Sequence, residues 1–208
     1  MGAFFLMKQF DYIIVGQGLA GTVLAFQLRL KGKNVFVIDK HRESTSSKIA
    51  PGAYNPMVLK RFTPCWKVEE QLEPLCCFIE NFEETFNESI HTPLKLWRKF
   101  HSVQEQNLWL EKSEKVRLSP FMNPSFISNP YKDIRAEFGF GEVTNSGRVQ
   151  LSEMISLLKE QLENEACFLN EAFDYNALEI SSTSVVYKSV SADKIVFCEG
   201  HRLTDNPF

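Results

Sequence analysis

Three glycines, Gly16, Gly18 and Gly21, and the carboxylate of Asp39 downstream of them form the strongest chemical signal in the chain. Gly16 permits a tight turn, and Gly18 presents backbone with no side chain in front of it. Gly21 lets a helix press close to whatever it packs on. Bare amides of this kind bind anions, and a carboxylate roughly 20 residues further on can accept both hydroxyls of a ribose. Together they read as a place for the diphosphate and sugar of a nucleotide.

The flanking elements must hold these groups. Asp11 to Val15 is a short β-branched and aromatic run, which predicts a buried strand. Leu19 to Leu30 alternates apolar and small residues and predicts a buried helix, ended by Gly32. A second strand is predicted at Val35–Ile38, stopping at Asp39 and Lys40. Strand, glycine turn, helix, strand and acid within roughly 30 residues make a dinucleotide-binding unit. In that unit Leu19 and Ala20 belong to the amide-bearing turn beside the glycines. An acid at residue 39, rather than a basic cluster, argues for FAD or NAD and against NADP.

Composition narrows the partners. The chain has 208 residues, enough for one large domain or two small ones, and a net charge of −3. Acids and bases are mixed along it, so no basic footprint for nucleic acid exists. No stretch approaches the length of a membrane span. Five cysteines show no Cys-x-x-Cys pair, which predicts reduced, mostly buried thiols in a cytoplasmic protein. The four histidines are scattered and read as surface or core residues.

Beyond Asp39, His41 to Lys48 reads as a polar loop, and Ile49 to Pro56 as a turn-rich stretch of small residues. Lys67 to Phe86 has helical spacing, with Pro74 expected to kink or divide it. Leu94 to Phe100 reads as a strand, and Ser102 to Glu105 as a capping box opening a short helix. Ser119 to Pro130, with three prolines, reads as a long irregular loop. Glu137 to Val149 reads as a hairpin turning at Thr144–Gly147, and Ser152 to Asn164 as an amphipathic helix. Ala177 to Val190 reads as two short antiparallel strands, and Ala192 to Gly200 as a strand running into glycine.

Gly16 to Thr22, Ser46 to Pro56 and Trp66 together resemble the FAD-dependent oxidoreductases of the D-amino-acid oxidase and glycine oxidase superfamily. The segment Ser-Ser-Lys-Ile-Ala-Pro-Gly-Ala-Tyr-Asn-Pro is similar to that family's serine–alanine–glycine loop, with Pro51 where alanine is usual. The resemblance implies an α/β fold, α+β in its second part: an FAD-binding Rossmann-like domain with part of an antiparallel-sheet substrate domain. It implies boundaries at 8–90 and 150–208 for the first and 91–149 for the second. It implies FAD as cofactor and an amine or amino acid as substrate, oxidised at its C–N bond by hydride transfer to flavin. Ser47, Lys48, Ala50 and Gly52 would lie along the cofactor, Phe173 near the adenine, and Gly200 where backbone approaches it. Lys48, Asn55 and Arg61 are the nearest active-site candidates, and no catalytic base stands out.

Members of that superfamily continue well past residue 208. The resemblance therefore implies an N-terminal part alone, holding flavin weakly or not at all and self-associating through an uncovered sheet edge. Two other readings remain open at the level of sequence. One is a non-catalytic remnant or subunit completed by a second chain. The other is an NAD-dependent dehydrogenase on a plain Rossmann domain.

Overall fold

A computed structural model describes residues 8–40 and 45–208, so the expected polar loop lies outside the described residues over 41–44. The chain divides into two compact units, the second being Pro51–Gln150 and the first comprising the segments on either side of it.

The first unit opens with β1 (Lys8–Val15), α1 (Leu19–Leu30), β2 (Val35–Ile38) and α2 (Ser46–Ile49). The second contains β3 (Ala53–Tyr54), β4 (Met57–Val58), β5 (Thr63–Pro64) and α3 (Val68–Phe86). It continues with β6 (His91–Lys99), α4 (Val103–Ser113), β7 (Met122–Ile127) and β8 (Phe140–Val149). The chain then returns to the first unit with α5 (Leu151–Asn164), β9 (Phe168–Leu169), β10 (Leu178–Ile180), β11 (Val185–Tyr187) and β12 (Val190–Phe197).

The sheet of the first unit has the order β10-β11-β12-β1-β2-β9. Its centre is parallel: β1 pairs with β12 and β2, and β2 with β9. Buried parallel strands should be apolar throughout, and all four residues of β2 are buried. α1 buries Gly21, Thr22, Ala25 and Phe26, one helical face. It ends in a Schellman motif: Gly32 (φ +71°) donates to the Arg29 carbonyl and Lys33 to that of Leu28. The glycine-ended helix read from the sequence is the one observed.

α1 is also tied to the end of α5. Arg29 forms a two-pronged ion pair with Glu165, at 2.7 and 2.8 Å. Hydrogen bonds from Arg29 hold the Glu165 carboxyl below its ordinary value of 4.5, against a smaller opposing effect of burial. A depressed carboxylate contributes stability above its unfolded pKa and loses it as pH falls through the folded one. Both side chains are partly exposed, at 23% and 38%, so Arg29→Met should cost no more than about 1 kcal/mol at neutral pH. The difference in melting temperature between the two proteins should shrink below pH 4.5. An equal difference at pH 3 and pH 7 would contradict this.

In the second unit β8 is central. It pairs along its length with β6, and on its other side with β3 and β7. Buried Met57, Phe62, Val68, Phe100, Trp109 and Val143 form the core on one face of this sheet. Several expectations are corrected here. The expected boundary at residue 90 falls instead after Ala50, since Val68 at the start of α3 packs into this second core. Pro74 does not divide α3, which continues through it with the proline on its exposed side, where water can satisfy the freed carbonyl. Thr144–Gly147 is not a hairpin turn but part of β8. Asn145 takes a left-handed φ of +56°, and the register slips opposite Leu94–Leu96, which is a bulge. The expected loop at 119–130 contains β7, where Pro124 falls in the slipped register between Met122 and Phe126. None of the five cysteines is buried, and all are free: Cys76 and Cys77 are exposed, and Cys65, Cys167 and Cys198 half-buried.

Candidate dinucleotide site

The site begins at the carboxyl ends of β12, β1 and β2. The N–H of Gly16 donates to the Ile38 carbonyl at 2.8 Å, and that of Cys198 to Val15 at 2.7 Å. These bonds draw three strand ends together beneath the glycine turn. Gly16 has φ +97°, and a Cβ there would lie 2.5 Å from the Cys198 carbonyl oxygen. A Cβ on Gly21 would overlap the Gly16 carbonyl oxygen. Both glycines are thus required by the turn itself. Gly18 caps α1 with extended backbone and no side-chain cap, leaving the first-turn amides of Leu19, Ala20 and Gly21 without intrahelical partners.

One of those amides is taken. The Leu19 N–H donates to Ser47 Oγ at 3.0 Å, and a Cβ on Gly18 would lie 3.1 Å from the same oxygen. Sequence reasoning placed Ser47 along the cofactor; the structure seats it against the helix start. A hydroxyl that accepts from an amide keeps its own proton to donate. Thr45 caps α2 through the Lys48 N–H, which fixes the short turn carrying Ser47. Lys48 is half-buried on that turn, and Ala50 ends it, exposed.

Sequence reasoning missed Gln17. It is 5% exposed, and its Nε2 donates to the Ile155 carbonyl of α5 at 3.3 Å, anchoring the glycine turn to a second helix. A polar residue between two glycines carried no signal that it would be buried. Asp39 stands half-buried at the end of β2, its N–H donating to the Leu169 carbonyl at 3.1 Å, and Lys40 is exposed next to it.

Residues 11–61 match the family model described as FAD binding domain. The chain is similar to iminodiacetate oxidase from Chelativorans sp., with a TM-score of 0.68 at 12% identity over 94% of this chain and 56% of that one. It is similar to L-amino acid deaminase from Proteus vulgaris, with a TM-score of 0.66 at 16% identity over 97% and 49%. Glycine oxidase from Geobacillus kaustophilus gives 0.62 at 17% over 93% and 56%. The chain spans about half the length of these solved structures.

The fold is that of the FAD-binding Rossmann-type oxidases.

Within this fold the residues present fit an adenine dinucleotide, because Gly18 puts no side chain at the start of α1 and the first-turn amides of Ala20 and Gly21 have no intrahelical partner. Phe173 is not a bare neighbour of the site. Its ring stacks on Tyr187 at 4.5 Å, packed against the cluster that includes Ile38 and Val185. Gly200 has φ +61°, with nothing within 4 Å of where its Cβ would be. Burial pushes the Cys198 thiol up, so the cysteine beside the glycine turn stays protonated at neutral pH.

Gly52, Asn55 and Arg61 belong to the second unit. Gly52 has φ +69°, and its carbonyl accepts from Val149. The Asn55 side chain accepts from the Met57 N–H at 2.9 Å, which is turn formation, and Arg61 is exposed. His91 has a chemical partner: its Nε2 lies 3.0 Å from the Tyr54 hydroxyl, the two rings stacked over Gly147. Burial raises the Tyr54 pKa, so this hydroxyl stays protonated at neutral pH. Among the described residues no histidine, cysteine and carboxylate group could hold a metal. No helix among them is long and apolar enough to cross a membrane.

Proposed function

We propose that this chain carries the cofactor-binding part of an FAD-dependent oxidoreductase that acts on the C–N bond of an amino acid or amine. Support comes from the first-turn geometry of α1, where Gly16 and Gly21 permit the tight turn and Ser47 adds a hydroxyl to the amides. In this reading Gly16, Gly18, Leu19, Ala20 and Gly21 bind the diphosphate through backbone amides. Ser47 converts one amide into a hydroxyl donor reaching further out, and Asp39 accepts from the ribose, with Lys40 beside it. Lys48, Ala50 and Gly52 follow along the cofactor, Phe173 shapes the adenine end, and Gly200 gives way to it. Bound FAD supplies a two-electron acceptor for a hydride leaving the amine-bearing carbon.

Titration with FAD, NAD and AMP, followed by flavin fluorescence and calorimetry, tests the cofactor. FAD should bind more tightly than NAD, and Ser47→Ala should weaken FAD about tenfold, the value of one hydrogen bond to a charged group. Equal affinity for FAD in the variant would remove Ser47 from the site, and tighter binding of NAD would overturn the cofactor assignment. Bound flavin should bleach anaerobically with an amine or amino acid. Bleaching only by a hydroxy acid would refute the substrate class.

A further inference from the structure

The face of the second-unit sheet opposite its core holds a carboxylate in unusual company. Trp97 on β6 pairs with Glu142 on β8, so both project to the same face. The Trp97 indole N–H donates to Glu142 Oε2 at 3.0 Å, and Asn123 Nδ2 lies 3.5 Å from Oε1. The orientation of the Asn123 amide is fixed, because its oxygen accepts the Ser125 N–H at 3.0 Å. Its backbone is fixed too, since its carbonyl accepts the indole N–H of the buried Trp109 at 2.8 Å. Glu142 is half-buried, and no lysine or arginine among the described residues forms an ion pair with it. Both of its partners are neutral donors.

Aromatic rings flank its indole partner. The Trp97 ring lies 5.6 Å from Phe140 and 6.0 Å from Tyr131, tilted by 38° and 45°. Phe140 is 6% exposed and forms a fixed floor, while Tyr131 is 51% exposed and stands at the rim. A partly desolvated carboxylate without a counter-ion favours a cation, and ring faces within about 6 Å attract one. The Trp97–Glu142 bond holds the indole beside the carboxylate.

We propose that Trp97, Tyr131, Phe140 and Glu142 form a binding site for an organic ammonium ion, the alkylated amine lying against the rings and its charge against Glu142. The site stands on the second unit alone and is independent of the FAD reading.

Choline chloride is the probe, with its uncharged carbon analogue dimethylbutanol and sodium chloride at equal ionic strength as controls. The readout is the indole N–H resonance of Trp97 in a nitrogen-15 correlation spectrum, assigned by its disappearance in Trp97→Phe. Choline should move this resonance saturably, and neither control should. Tyr131→Ala and Glu142→Gln should each weaken binding about tenfold, the scale of one cation–π contact or one lost charge. An equal response to dimethylbutanol, an unsaturable response matched by sodium chloride, or unchanged affinity in both variants would overturn the proposal. Tyr131 is at the surface, so Tyr131→Ala retains the fold and decides the matter if Glu142→Gln does not fold.

Discussion

Gly21→Ala should abolish FAD binding and lower the stability of the first unit by about 3 kcal/mol. The added Cβ would overlap the Gly16 carbonyl oxygen, a backbone atom with nowhere to retreat. Gly16 is itself pinned, since its N–H holds the Ile38 carbonyl and its Cα faces the Cys198 carbonyl. Relief must therefore come from α1 moving away from the sheet. That movement separates the Leu19 amide from Ser47 and shifts every first-turn N–H together. Binding and stability fail for the same reason and should fall together across a series. Gly18→Ala makes the contrast: its Cβ would meet only the Ser47 hydroxyl, at 3.1 Å, and a few tenths of an ångström relieve it. It should fold almost normally yet bind FAD poorly, because the methyl stands where the diphosphate must approach. Chemical denaturation and FAD titration of the two variants measure both quantities. A Gly21→Ala protein with unchanged stability would refute the packing argument.

What the sequence disclosed follows from how local the constraint is. The glycine turn, α1 and its end at Gly32 were legible because each glycine answers a backbone demand made within a few residues. Asp39 was legible because β2 is short and entirely buried, so its end is marked by the first polar residue. β8 was not legible in full. Thr144-Asn145-Ser146-Gly147 has the composition of a turn, and nothing nearby says otherwise. The pairing that keeps it extended comes from β6, more than forty residues earlier, and the chain absorbs Asn145 as a bulge instead. β7 was hidden in the same way by its prolines. The unit boundary was misplaced because α3 has the spacing of a core helix for either unit, and only the packing of Val68 decides between them. Gln17 and the Trp97–Glu142 pair depend on elements distant in sequence, so no spacing could announce them.

Trp109→Ala should have the largest effect on the second unit, costing about 3–5 kcal/mol against a total stability of about 5–15 kcal/mol. Trp109 is fully buried, with Phe62 and Phe100 edge-on to its ring at 5.3 and 5.6 Å, and its N–H holds the Asn123 carbonyl. Removing the ring empties the centre of this core and leaves that carbonyl to water. Trp109→Phe should cost less, because it keeps most of the volume and loses the hydrogen bond. Gly141 supplies the discriminating test. A Cβ there would lie 2.5 Å from the Trp109 ring, so Gly141→Ala should be destabilising by about 1–3 kcal/mol on its own. In the Trp109→Phe background the smaller ring gives the methyl room, and the same substitution should cost clearly less. The coupling measured by this cycle is the closeness of ring to strand, free of the individual costs of each change. Additive effects, within about 0.5 kcal/mol, would mean that the ring does not rest on Gly141 in solution.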